Sequence, residues 1–130
     1  MNLLLDTHIL LWSLLEPTKL TLRVKKKLGS RTSELWLSPI TTWEVAILAE
    51  KGRISLKQSP LDWIRKVLLA VPFLEAPINH EVAIKSREIS LPHQDPADRF
   101  LAATAMIYDL TLVTSDEYLL AYPDLPTLAN

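Results

Sequence analysis

Leu91–Ala105, LPHQDPADRFLAATA, is the stretch from which the fold can be read outward. Asp95 and Asp98 stand three residues apart around a proline, and an apolar, alanine-rich run begins at Phe100. Asp then Pro ahead of such a run marks a helix start, with Asp95 as cap and Pro96 at the first helical position. A helix that is apolar on nearly every side, as 100–108 is, belongs in the interior. A buried helix that opens with two carboxylates poses a question for the rest of the chain.

Downstream, Thr111–Thr114 (TLVT) reads as a buried strand, Asp116–Tyr122 as a short helix, and the tail offers an edge strand. Upstream, Phe73–Ala76 is a short strand, and Asn79 or His80 opens a helix through Ile89. Pro60–Val71 is amphipathic, with Trp63, Val67 and Val71 four apart. Asn2–Leu5 and Leu35–Ser38 are further strands. Thr7–Leu15 and Thr41–Lys51 are helices, as is a segment capped by Thr18 or Thr21 that runs through Lys27 to Gly29. Short apolar strands alternating with helices imply βαβ units and a parallel sheet covered on both faces. The expected fold is a three-layer α/β/α sandwich around a mainly parallel sheet of four to five strands. At 130 residues the chain makes one domain, residues 1–130, with one sizeable core and no internal repeats.

Composition excludes several chemistries. There is no cysteine, so disulfides, thiolate zinc sites and cysteine nucleophiles are absent. The only glycines are Gly29 and Gly52, which rules out GxGxxG and GxxxxGK phosphate loops. The net charge of −1 gives no global attraction to a polyanion. Any nucleic acid must be held by a local patch or through a bound cation. MNLLLDTHILLWSLL has no basic residue before its apolar part and is interrupted by Asp6 and His8, so neither export nor membrane spanning is expected. A cytoplasmic protein is the expectation.

Each acid has a structural reading when taken alone. Asp6 follows a strand and suits an N-cap. Thr41-Thr42-Trp43-Glu44 fits a capping box, with Thr41 as cap and Glu44 reaching back. Asp95 can cap, Asp98 meets the helix dipole, and Ser115 or Asp116 can cap the last helix. Jointly they read differently. Asp6, Glu44 and Asp116 each lie just after a strand, and Asp98 opens a helix after a loop. In a parallel α/β sheet such junctions share the edge where ligands bind. Four acids gathered there cost several kcal/mol unless neutralised. A hard cation with oxygen ligands, Mg2+ or Mn2+, is the natural remedy, and zinc is disfavoured by the lack of thiols and the scattered histidines. Such an ion, with a second ~4 Å away in two-metal sites, points to hydrolysis of a phosphate ester.

NLLLDTH at the start, ITTWEVAI around Glu44, HQDPADRFLAATA around Asp98 and LVTSDEYL around Asp116, in this order from residue 2 to about 120, resemble a PIN-domain ribonuclease. The likeness is to the VapC toxins of VapBC toxin–antitoxin pairs. It implies a compact α/β/α fold, Mg2+- or Mn2+-dependent endonucleolytic RNA cleavage, homodimerisation and inhibition by a small cognate antitoxin. Carried over, Asp6, Glu44, Asp98 and Asp116 match the family's metal-binding, catalytic acids, and Thr7 and Thr114 match supporting hydroxyls. Asp95 is an addition found in one branch of the family, as cap, outer-shell group or both. Where such proteins often place glycine before the last core strand, this chain has Asp109, which tolerates a left-handed backbone at some cost.

Arg99 suits an RNA phosphate or a neighbouring acid equally. His93 is read as a loop histidine with phosphate binding as the alternative, and His8 as a packing or second-shell residue. Lys25–Lys27, with Arg23 and Arg31, form either an RNA-tracking face or the solvated side of a helix. The four tryptophans are expected mostly in the core, with Trp12 or Trp63 as the candidates for an antitoxin or dimer surface. Competing readings are a PIN-fold RNA-processing nuclease without an antitoxin and a catalytically silent RNA- or protein-binding domain of the same fold. A haloacid-dehalogenase-like phosphatase wants an Asp where His8 stands, and a receiver domain wants a lysine after the last core strand that the chain lacks.

Overall fold

The computed structural model describes residues 1–92 and 94–130. Its centre is a five-stranded, wholly parallel sheet: β1 (Asn2–Leu5), β2 (Glu34–Leu37), β3 (Leu74–Glu75), β4 (Thr111–Thr114) and β5 (Thr127–Ala129), in the spatial order β3-β2-β1-β4-β5. Among the described residues seven helices surround it: α1 (Thr7–Leu15), α2 (Leu22–Leu28), α3 (Pro39–Glu50), α4 (Pro60–Ala70), α5 (His80–Glu88), α6 (Pro96–Tyr108) and α7 (Glu117–Ala121). A 3-10 turn at Pro17–Lys19 joins α1 to α2. The sandwich expected from the alternation is the one observed.

Alternation along the central strands builds the two outer layers. Leu3 and Leu5 of β1 and Val113 of β4 face one core, with Ile9, Val24, Val45 and Trp63. Leu4 and Leu112 face the other, with Leu101, Ala102, Ala105 and Leu119. The pairing Leu4↔Leu112 and Leu3↔Leu35 holds this register; a one-residue slip would turn every apolar side chain to the wrong face. In α6 the alanines 102, 103 and 105 are fully buried, and their small side chains let the helix lie close to the sheet.

Chain direction explains the position of the site. From β1 the chain winds outward through β2 to β3, then crosses back to put β4 on the other side of β1. The order reverses between β1 and β4, and ligands of open α/β sheets bind outside the carboxyl ends of strands at such a switch point.

Most helix starts match the sequence: Thr21 caps α2, Asn79 caps α5, Asp95 caps α6 and Asp116 caps α7. At α3 the structure corrects it. Ser38, not Thr41, is the N-cap: its hydroxyl accepts from Ile40 N at 3.1 Å, with Pro39 at the first helical position. Thr41 is buried inside the first turn, and its Oγ1 has no hydrogen-bond partner among the described residues. The Ser-Pro pair wins because proline's fixed φ suits the first helical position, where its missing N–H costs nothing. Glu44 is thereby moved nearly two turns into the helix and released from capping. Asp109 ends α6 with φ 55° and ψ 50°, the left-handed conformation expected of it.

Candidate active site

Asp6 is the residue on which the site is built. It leaves β1 and caps α1, where one carboxylate oxygen accepts from Ile9 N at 2.9 Å. The other oxygen accepts from Thr114 Oγ1 at 2.5 Å, across the β1–β4 switch point. Thr114 Oγ1 in turn accepts from Asp116 N at 3.1 Å, so one buried hydroxyl at the end of β4 ties two acids together. Burial pushes the Asp6 carboxyl up from its ordinary range; the hydrogen bonds from Thr114 and Ile9 and the nearby His8 offset this only in part, and Glu44 adds to it.

Asp98 sits on the first turn of α6, behind the Asp95 cap, whose Oδ1 accepts from Ala97 N at 3.0 Å and Asp98 N at 3.4 Å. Its carboxyl is raised from 3.8 to about 7, first by desolvation and then by repulsion from Asp95, Asp116, Glu44 and Asp6. Asp116 Oδ1 accepts from Tyr118 N and Leu119 N, which fixes it at the head of α7. Glu44 approaches from α3, half-buried.

These five acids line one cleft of about 210 Å³, together with Thr7, His8 and Ser115, and among the described residues no lysine or arginine lines it. Thr7 is 1% exposed, and its Oγ1 has no hydrogen-bond partner among the described residues. A cluster of carboxylates beside an orphaned buried hydroxyl fits a hard, hydrated divalent cation. Among the described residues no three carboxylate or imidazole side chains converge closely enough to ligate one ion together. Cap bonds hold Asp6, Asp95 and Asp116 to backbone amides. The donor set therefore suits Mg2+ or Mn2+ held through one or two carboxylates with water between it and the others, which is how Mg2+ is commonly bound.

The structure thus gathers Asp6, Glu44, Asp95, Asp98, Asp116 and Thr7 at the cleft, with Thr114 beneath it. Arg99 is placed elsewhere. It is 5% exposed and donates from Nε to Ser86 O at 2.9 Å and from Nη2 to Ile89 O at 2.7 Å. The phosphate-binding alternative for His93 lies outside the described residues. His8, expected to be a packing or second-shell residue, is exposed at the cleft wall, with its ring 5.7 Å from that of Trp12. Ser115 is a cleft residue that the sequence marked only as a cap candidate; its position between Thr114 and Asp116 was the available signal. Beside the cleft, and sharing His8 with it, runs a groove of about 700 Å³ lined by Trp12, Trp63, Lys19, Arg53 and Lys57 among others. Trp63 is 9% exposed in the core, whereas Trp43 is half exposed.

A switch-point cleft with acids from four chain segments defines a class, and the chain belongs to the PIN-domain family, whose model matches residues 3–125. Among its relatives, Ribonuclease VapC22 of Mycobacterium tuberculosis is 34% identical over 121 residues, covering 91% of this chain and 89% of the relative. The fold is shared with VapBC2 from Rickettsia felis, solved bound to a DNA fragment from its promoter (TM-score 0.74, 16% identity, 100% of this chain and 99% of that chain). It is also shared with DNA-bound VapBC from Salmonella typhimurium (TM-score 0.69, 19% identity, 99% and 98%).

Proposed function

We propose that this protein is a Mg2+- or Mn2+-dependent endoribonuclease, the toxin of a type II toxin–antitoxin pair, which hydrolyses RNA phosphodiester bonds at the acidic cleft. The observation that carries this reading is the convergence of Asp6, Glu44, Asp98 and Asp116 on one cleft that no lysine or arginine lines among the described residues. A pure binding domain has no need to sustain that repulsion. The relative that covers most of the chain is a ribonuclease by name, and solved structures of the same fold include members of toxin–antitoxin systems.

Asp6, Asp98, Asp116 and Glu44 would hold the cation, one or two of them directly and the others through water, with Asp95 at its margin. When bound, the ion supplies an activated water and neutralises the charge that develops on the phosphate. The chain's own part is positioning. Thr114 fixes Asp6 and the Asp116 amide in one arrangement, and the caps of α6 and α7 hold Asp95 and Asp116. Glu44 is not the capping-box partner of Thr41, which leaves it to orient water against the scissile phosphate.

The proposed partners are RNA, a small antitoxin and a second copy of the chain. The groove that shares His8 with the cleft gives an antitoxin an apolar seat at Trp12, with the acids within reach of a basic side chain. Among the described residues no helix is long and apolar enough to cross a membrane.

The test is cleavage of RNA by the purified chain with Mg2+ or Mn2+. Activity should vanish on chelation and in Asp98→Asn with the fold retained; full cleavage by a folded Asp98→Asn overturns the mechanism. Expression of the chain alone should slow growth, and a short neighbouring reading frame should relieve it. Robust cleavage without toxicity would make this a nuclease of RNA processing instead.

A further inference from the structure

Arg99 follows Asp98 on the first turn of α6, yet its side chain runs back to α5. Helix α5 ends at Glu88 with Ile89 as its C-cap, and its last carbonyls have no partner within the helix. The buried guanidinium donates to two carbonyls there, Ser86 O at 2.9 Å and Ile89 O at 2.7 Å, in a fork that lysine cannot reproduce. Its charge also complements the negative end of α5. The clamp spans the connection between the helices, which continues through buried Leu91 to the Asp95 cap. In the same turn Arg99 N donates to Asp95 O at 3.2 Å. One residue therefore bonds to the end of α5 through its side chain and to the start of α6 through its backbone.

We propose that Arg99 is a positioning residue: by locking the start of α6 onto the end of α5, it sets where the Asp95 and Asp98 carboxylates stand in the cleft. It acts through those acids and does not touch the substrate. The inference rests on the reading of the cleft as a metal-dependent active site.

The test compares Arg99→Met, which keeps the length of the apolar stem, and Arg99→Lys, which keeps the charge, with the wild-type chain. Groups that orient metal-binding side chains typically contribute about 10- to 100-fold in metal affinity or activity. Both variants should lose kcat for RNA cleavage by about tenfold or more with little change in KM, and Mn2+ measured by calorimetry should bind correspondingly more weakly. The Ala97 and Asp98 amides should exchange with solvent faster in both variants, while those of β1 and β4 keep their protection. Lower stability with kcat and Mn2+ affinity unchanged would reduce Arg99 to a helix cap and overturn the proposal. A raised KM with unchanged kcat and a shallower salt dependence would overturn it in favour of a phosphate contact. Unchanged protection at Ala97 and Asp98 overturns it whatever the cleft does. A wild-type chain that neither binds Mn2+ nor cuts RNA, with those amides loosened in the variants, would instead fault the functional reading alone.

Discussion

Asp98 concentrates the electrostatic problem of the site in one carboxyl. Desolvation and four neighbouring acids raise it to about 7 from 3.8, so in the folded, metal-free protein it keeps its proton where the unfolded chain has released it. The native state then binds more protons between about pH 4 and 7, and stability must fall as pH rises through that window. Asp6, also raised by burial, contributes with the same sign. Thermal unfolding of the metal-free chain should accordingly show a falling Tm from pH 5 to 8. Asp98→Asn should flatten the fall; an unchanged slope in that variant would place the strain on other groups. A second residue-scale expectation concerns Thr114, whose hydroxyl serves Asp6 and the Asp116 amide at once. Thr114→Val leaves a buried carboxylate short of a donor and should cost about 1–3 kcal/mol in denaturant unfolding at neutral pH; a loss no larger than that of an exposed Thr→Val change would contradict this.

At the scale of elements, α3 separates two readings of one segment. Ser38→Ala removes a working cap and should cost about 1 kcal/mol. Thr41→Val removes a buried hydroxyl that has no partner among the described residues, so it should lie within about 0.5 kcal/mol of neutral or be stabilising. Equal costs for the two would restore Thr41 as the cap. The sequence showed most helix starts because an Asp, Asn or Thr cap ahead of an apolar run is a local signal, fixed by four or five residues. It misplaced the start of α3 because the segment carries two such signals: Thr41 with Glu44 makes a capping box, and Ser38-Pro39 sits three residues earlier. The same locality explains Arg99. The carbonyls it binds at the end of α5 are 10 and 13 residues back, and no spacing rule joins a guanidinium to carbonyls across a turn. The acids Asp6, Glu44, Asp98 and Asp116 were legible because strand ends of a parallel sheet share an edge, so order along the chain was enough to bring them together.

For the whole molecule, the cation and the fold should be linked. An ion that binds only the folded chain adds RT ln(1 + [L]/Kd) to stability, about 2.7 kcal/mol at a hundredfold excess over Kd. Mg2+ or Mn2+ should therefore raise the Tm of the wild-type chain, measured at pH 7.5 where the acids repel most, and raise that of Asp98→Asn much less. Equal shifts for both would mean that the ions act away from this cleft.

The position of β1 has a consequence in time as well as in space. β1 lies between β2 and β4, and the hydroxyl that secures Asp6 is 108 residues further along the chain. A ribosome thus makes the cleft's founding carboxylate 108 residues before the hydroxyl that supports it. Until Thr114 emerges, β1 has an open edge and Asp6 has no partner across the switch point. The arrangement that gathers the cleft's acids therefore cannot close until β4 has been made and has paired with β1.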